Sequence, residues 1–151
     1  MKQFHFRLER LLEIRSYRER QWLAKLAAAS GLCTRLKRRI GETGEAVRGA
    51  YSINGRKGGQ LDLSILIYKE QYITRLGRDR LRLQKELEEK ERQRSEVQRR
   101  YQEVSRDKKV LEKLKGKREA DYYSRAKLEE FKAVDDLSSS QFVRKNQMRG
   151  D

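Results

Sequence analysis

The sequence contains no proline, one cysteine and one histidine. Without proline, no residue forces a break in a long helix. The lone cysteine, Cys33, excludes an intramolecular disulfide and a cysteine-based metal cluster. The lone histidine, His5, sits at a seam position before Leu8 and excludes a catalytic triad or histidine metal site elsewhere. These absences predict a helical, non-enzymatic protein of a reducing compartment that needs no cofactor and no metal.

Apolar residues are also scarce, because 36% of the 151 residues are hydrophobic and 40% are charged. A single domain with so little apolar material cannot build a thick globular core, so we expect an elongated one. No apolar run is long enough to span a bilayer, and no secretory signal is visible. The net charge of +15 combines 38 basic with 23 acidic residues, which are mixed along the chain. Such mixing indicates solvated helix faces.

An apolar seam recurs from Leu8 to Ala50 in alternating steps of four and three residues, and ten of its thirteen positions are apolar or small. This period is typical of a coiled coil. A helix with so narrow an apolar stripe needs a second helix to cover it. The seam predicts a first helix over about 4–52, with the principal seam residues Leu8, Leu12, Trp22, Leu26, Leu36 and Ile40.

The strongest break lies at Asn54–Gly59, and Asp62 and Ser64 after it are candidate helix caps. A weaker seam then resumes at Ile73, Leu76, Leu83, Leu87, Val97, Tyr101 and Val104. We therefore predict an all-α fold in which two long helices form a monomeric antiparallel coiled-coil hairpin. The turn of this hairpin spans about 53–61. The longer second helix spans about 62–134, and a flexible tail follows at 135–151.

Matching the two seams predicts their register. The greatest number of apolar matches pairs Leu26 with Leu87 and Leu36 with Leu76, and it places Glu19 opposite Arg94. A shift by one heptad keeps fewer apolar matches. The preferred register leaves the second helix without a partner from Leu111 onward, as a carboxyl-terminal overhang. In the first helix, three glycines at 41, 44 and 49 predict a softer end, because glycine lowers helix propensity.

Three function classes can be weighed from the residues alone. The glycines at 55–59 match neither a Walker A loop nor a dinucleotide fingerprint. Basic clusters at 37–39, 78–82 and 106–109 would attract phosphates in low salt. However, positive charge is spread over both helices, whereas a basic zipper needs a basic block before a parallel coiled coil. A generic coiled-coil scaffold or chaperone and, less strongly, a nucleic-acid-binding coiled coil stay open as alternatives.

Three segments carry a family resemblance. The opening Phe4–Arg15, FHFRLERLLEIR, resembles the start of the FliJ family of flagellar type III export proteins. Lys109–Arg118 followed by Tyr122 resembles that family's carboxyl-terminal segment, and Tyr68–Leu76 resembles the start of its second helix. Together these segments extend the resemblance over nearly the whole chain.

The resemblance implies a stalk similar to the central stalk subunit of rotary ATPases, seated in the hole of the hexameric export ATPase FliI. It implies a protein without enzymatic activity that promotes assembly and turnover of that ring. It further implies contact with the export-gate protein FlhA, possible contact with export chaperones, and a location at the cytoplasmic face of the flagellar basal body.

Two candidate surfaces follow from the resemblance and from exposed aromatic and basic residues. Exposed aromatic clusters usually await a partner, and basic residues beside them steer association with acidic surfaces. The expected ATPase-binding residues are Phe4, Phe6, Arg7, Arg10, Lys113, Lys117, Arg118, Tyr122, Tyr123, Leu128 and Phe131. Tyr68 and Tyr72, which flank the second seam, are the expected gate contacts. Alternatively, these two tyrosines only cover the tip of the hairpin.

Overall fold

The computed structural model describes residues 3–147, and side chains as far as 145. Helix α1 spans Glu9–Tyr51 and helix α2 spans Leu63–Gln147. Between them lie two short strands, β1 at Arg56–Lys57 and β2 at Gln60–Leu61. The helices pack antiparallel against each other, and α2 has 85 residues against 43 in α1. The predicted all-α hairpin with a longer second helix is confirmed.

Local chemistry sets the helix ends. Glu9 lies in the first turn of α1 and Arg48 in its last, so both charges favour the helix dipole. Beyond α1, the Ser52 hydroxyl and amide both donate to the Gly49 carbonyl, at 2.6 and 3.2 Å. Asp62 caps α2, because its Oδ1 accepts a hydrogen bond of 2.9 Å from the Ser64 amide.

The connection between the helices is an ordered ribbon that the sequence reading did not predict. Arg56 pairs with Leu61 and Lys57 with Gln60 in antiparallel register. Gly58 and Gly59 turn the chain at φ values of 60° and 84°, which other residues rarely adopt. Gly55 also has a positive φ, and its carbonyl accepts a 2.8 Å bond from the Asp62 amide. The predicted turn therefore contains a closed β-ribbon.

The chain divides into two compact units. The hairpin unit comprises Arg18–Val104, and the terminal unit comprises Met1–Tyr17 with Ser105–Asp151. Both helices contribute to each unit. The buried residues of each are few, as expected from a composition poor in apolar residues. Those of the hairpin unit are Cys33, Leu36, Ala50, Gly55 and Leu83, and those of the terminal unit are Phe6, Ser105 and Leu111.

The predicted register of the two helices is wrong. It would place Leu76 opposite Leu36, but Leu76 lines a groove with Thr43 and Ala46 instead. The physical reason lies in the connection, which folds back along the first turns of α2. The Lys69 ammonium donates to the Tyr51 carbonyl at 3.3 Å. The end of α1 therefore lies beside the second turn of α2, whereas the prediction assumed a symmetric turn within the glycine stretch.

Although the predicted pairing is wrong, the predicted seam residues do face the partner helix. The principal seam residues of both helices, from Leu8 to Ile40 and from Ile73 to Val104, are all buried or partly buried. His5 was predicted at a seam position, but it is exposed and precedes α1. Helix one starts at Glu9 rather than near Phe4 because the first residues lie along α2 in a non-helical conformation.

The end of α2 also differs from prediction. The sequence reading ended this helix near 134, but the structure continues it to Gln147. No proline or glycine occurs between 117 and 147, and the serines at 138–140 are only weakly unfavourable in a helix. Side chains from 127 to 145 are all exposed, so nothing packs against this stretch in the described chain. The last part of the predicted tail, 148–151, lies outside the described residues.

Candidate partner-binding surfaces

In the terminal unit, the start of the chain packs on α2. Phe6 is only 3% exposed, and Leu111 on α2 is buried as well. The Phe4 ring lies 5.7 Å from the Tyr122 ring, and Tyr122 lies 5.5 Å from Tyr123 in an edge-on arrangement. Such tilted and edge-on pairs are favourable aromatic geometries. The predicted overhang therefore begins after Tyr123 rather than at Leu111.

This packing corrects part of the predicted ATPase-binding set. Phe6 belongs to the core of the terminal unit and offers no surface to a partner. Phe4 and Tyr122 are each partly buried, because their rings cover one another. Of the predicted aromatics, Tyr123 and Phe131 are exposed.

Polar contacts fix the same unit. Lys115 Nζ forms an ion pair with Glu9 at 2.8 Å, with both side chains about one-third exposed. The Arg15 Nη1 donates to the Asp107 carbonyl at 2.8 Å. These two contacts tie the first turns of α1 to α2, and they agree with the observed register rather than the predicted one.

Beyond Tyr123, α2 carries a series of exposed apolar side chains that we call the apolar row: Leu128, Phe131, Val134, Leu137, Phe142 and Val143. Leu128 and Phe131 are 58% and 60% exposed. The first four recur every three residues, so they wind slowly around the helix instead of forming a straight coiled-coil seam. The sequence reading missed the last four. It assigned Leu137, Phe142 and Val143 to a tail, and it placed Val134 at the end of the helix without counting it among the binding residues. Their helical spacing in a proline-free stretch was the available signal.

Exposed basic residues are a further feature of the terminal unit. Arg7, Arg10, Lys113, Lys117 and Arg118 are all exposed. An open groove is lined by Phe4, Arg118, Asp121, Tyr122 and Arg125. Arg118 and Arg125 therefore lie beside the contact between Phe4 and Tyr122.

The second predicted surface lies on the hairpin unit, at the start of α2. Tyr68 and Tyr72 are both exposed, and Tyr68 reaches 72%. Further large apolar side chains nearby in sequence are exposed too: Tyr51, Ile53, Leu61, Leu63 and Ile67. The sequence reading did not include these five in the predicted gate contacts, and it treated Ile53 and Leu61 as part of a plain turn. The fixed ribbon and the first turns of α2 present them at one end of the unit.

Metal sites, membrane spans and grooves are the remaining kinds of candidate site to consider in the described residues. Residues 3–147 hold no group of three or more histidine, cysteine or acidic residues placed to bind a metal ion. Within the same residues, no helix is long and apolar enough to cross a membrane. The grooves of the hairpin unit are open and lined largely by charged side chains, for example Arg39, Glu42 and Arg82.

A family profile described as "Flagellar FliJ protein" matches residues 4–147. The chain belongs to the FliJ family. This match covers both helices, the ribbon and both candidate surfaces, and it confirms the resemblance seen in three sequence segments. FliJ membership gives the protein a role related to flagellar protein export and flagellum biogenesis. Curated proteins and solved structures gave no significant match.

Proposed function

We propose that this FliJ-family protein is a non-catalytic stalk of the flagellar export machinery. It binds the hexameric ATPase FliI, promotes assembly and activity of the ring, and links the ring to the export-gate protein FlhA. It is a monomer when free, acts at the cytoplasmic face of the basal body, and contacts export chaperones there. The observation that carries this proposal is the apolar row of α2, which nothing covers in the described chain.

The apolar row supports ring binding through its exposure. Fully burying a leucine or phenylalanine side chain is worth about 1.5–3 kcal/mol, so Leu128 and Phe131 together represent a substantial unused contribution to binding. Several large exposed apolar side chains on one stretch of helix are typical of an interaction site. A helix with exposed apolar groups suits the inside of a ring, where several subunits can surround it.

The basic residues support a fast, salt-sensitive association. Arg7, Arg10, Lys113, Lys117 and Arg118 are exposed in the terminal unit, and Arg118 lines a groove with Phe4 and Tyr122. Complementary charge accelerates encounter and is screened by salt. Acidic loops on the ATPase would meet this surface, so stimulation of the ring should weaken as ionic strength rises.

The gate contact is assigned to Tyr68 and Tyr72. Tyrosine is enriched in protein interfaces because it combines a large apolar ring with a polar end. Both side chains are exposed, so their loss should not remove core packing. Replacement of both by alanine should weaken binding of the FlhA cytoplasmic region and leave the melting temperature nearly unchanged. Tyr17→Ala, also at an exposed tyrosine, is the matched control.

Ring binding is tested by adding the full chain, or a chain ending at Arg125, to purified FliI. The shortened chain keeps the contact between Phe4 and Tyr122 and removes the apolar row. We expect the full chain to promote ring assembly and ATP hydrolysis, and the shortened chain to do neither. Equal stimulation by the two chains would contradict the assignment of the apolar row. Absence of stimulation by the full chain would contradict the stalk function and favour a generic scaffold.

A further inference from the structure

The hairpin unit contains helical glycines that packing does not require. Gly31, Gly41, Gly44 and Gly49 lie in α1, and Gly77 lies in α2. A Cβ atom added at any of these positions would have no other heavy atom within 4 Å. Alanine would therefore fit at each. Every helical glycine disfavours the local helix about fivefold relative to alanine. Three of the five fall between Gly41 and Gly49, so the last turns of α1 bear most of this cost.

A surface groove also accompanies this part of α1. The groove is open, has a volume of about 270 Å³, and is lined by Arg39, Glu42, Thr43, Ala46, Leu76, Asp79, Arg82 and Leu83. The Thr43 hydroxyl donates to the Arg39 carbonyl at 2.8 Å, a contact that slightly weakens and bends helices. Nearer the middle of α1, by contrast, Cys33 and Leu36 are buried. Stability therefore decreases along α1 towards Tyr51.

One lysine holds the weak end in place. The Lys69 ammonium on α2 donates to the Tyr51 and Ile53 carbonyls, at 3.3 Å each. It also lies 5.7 Å from the centre of the Tyr51 ring. A positive charge at the carboxyl end of a helix is favourable, because unpaired carbonyls give that end a partial negative charge. Ala50 is buried next to this contact, but its methyl group contributes little apolar area.

We propose that Gly41–Tyr51 opens from α2 as a unit while the rest of the hairpin unit stays folded, and that Lys69 is the latch that keeps it closed. Lys69 lies between Tyr68 and Tyr72 in sequence. A partner segment that binds these tyrosines and offers a carboxylate competes with the two carbonyls for the ammonium group, and so favours opening. This coupling to a partner rests on the proposed gate-binding function, whereas the opening itself does not.

Amide hydrogen exchange of the intact protein tests the opening, with a matched pair of substitutions. Gly44→Ala and Gly31→Ala change the same residue type in the same helix, with open space at both positions. If 41–51 opens alone, Gly44→Ala slows exchange there about fivefold and Gly31→Ala leaves it unchanged. If both substitutions slow that segment equally, it opens only with the whole unit and the proposal is overturned.

The latch is tested by Lys69→Met, with Lys85→Met as the control at an exposed lysine. Loss of one favourable charge at the end of a helix should speed exchange of 41–51 about fivefold and leave 22–36 unchanged. Equal exchange in the Lys69→Met and control chains would overturn the latch.

Addition of the FlhA cytoplasmic region to the unmodified chain tests the coupling. We expect bound FlhA to speed amide exchange in 41–51. If FlhA binds and exchange in 41–51 does not change, the coupling is overturned. A failure of FlhA to bind would instead contradict the gate-binding function, and the opening would still be decided by the glycine and lysine variants.

Discussion

The ring of Phe4 lies 5.7 Å from the ring of Tyr122, at an interplanar angle of 50°. Through this contact, the residues before α1 cover a part of α2 that α1 itself does not reach. Phe6 follows in the same segment and is buried. The start of the chain and α2 as far as Tyr122 are therefore packed together in the terminal unit.

Removal of Phe6 should destabilise the terminal unit. Phe6→Ala deletes a side chain that is only 3% exposed, and such deletions cost about 3 kcal/mol or more. Tyr17→Ala, at an exposed ring in the same unit, should change stability by about 0.5 kcal/mol or less. Urea unfolding followed by circular dichroism measures both. Similar values for the two variants would show that the amino-terminal segment is not part of the folded core.

Cys33 should report on opening of the hairpin unit. Its side chain is 1% exposed, so a thiol reagent can reach the sulfur only when α1 separates from α2. We expect Ellman's reagent to label the native chain far more slowly than a Thr34→Cys, Cys33→Ala chain, in which the thiol lies at an exposed position. Equal labelling rates in the folded chains would contradict the buried position of Cys33.

Two glycines of the connection should differ in their tolerance of a side chain. Gly55 and Gly58 have nearly the same φ, 62° and 60°, so alanine is strained at both. At Gly55 the new Cβ would also lie 2.6 Å from Leu66 Cδ2, whereas it meets nothing within 4 Å at Gly58. We expect Gly55→Ala to cost about 1 kcal/mol more than Gly58→Ala in thermal or urea unfolding. Equal costs would mean that the ribbon does not pack on α2 at Leu66.

Crosslinking distinguishes the observed register from the predicted one. In a Cys33→Ala background, Ala46→Cys with Leu76→Cys should oxidise to an intramolecular disulfide, because both positions line the same groove. Leu36→Cys with Leu76→Cys, the pair expected from seam matching, should not. Electrophoresis under non-reducing conditions, with mapping of the linked peptides, separates the outcomes. Preferential crosslinking of the second pair would restore the predicted register.

The register could not be predicted from the seam pattern. The pattern shows which residues of each helix face inward, but it does not show which residue of α1 lies opposite which residue of α2. Leu36 and Leu76 both carry the correct apolar character, and many pairings bury similar areas. The deciding contacts come from outside the seams. Lys69 binds the end of α1, and Gly55 approaches Leu66 so closely that only a glycine fits. Such contacts depend on the path of the connection, which hydrophobic periodicity does not describe.

The candidate site was predictable to a similar degree. Exposed aromatics such as Tyr123 and Phe131 could be identified because no seam position accounts for them. Phe6 was misassigned because an aromatic residue outside the helical pattern can pack in a non-helical segment. Leu137 and Phe142 were missed because polar and serine-rich flanking sequence suggested a tail, although α2 continues through it.

The double variant Leu128→Ala, Phe131→Ala tests contact between the apolar row and the ATPase ring most directly. The measured quantity is the concentration of the protein that gives half-maximal stimulation of FliI. Leu81→Ala with Val110→Ala is the matched control, since those residues are 61% and 63% exposed, against 58% and 60% for the test pair. We expect the test pair to raise the half-maximal concentration about 100-fold, because about 3 kcal/mol of apolar burial is lost, and the control pair to leave it unchanged. If the test pair, the control pair and the unmodified chain all have the same half-maximal concentration, this part of α2 does not bind the ring.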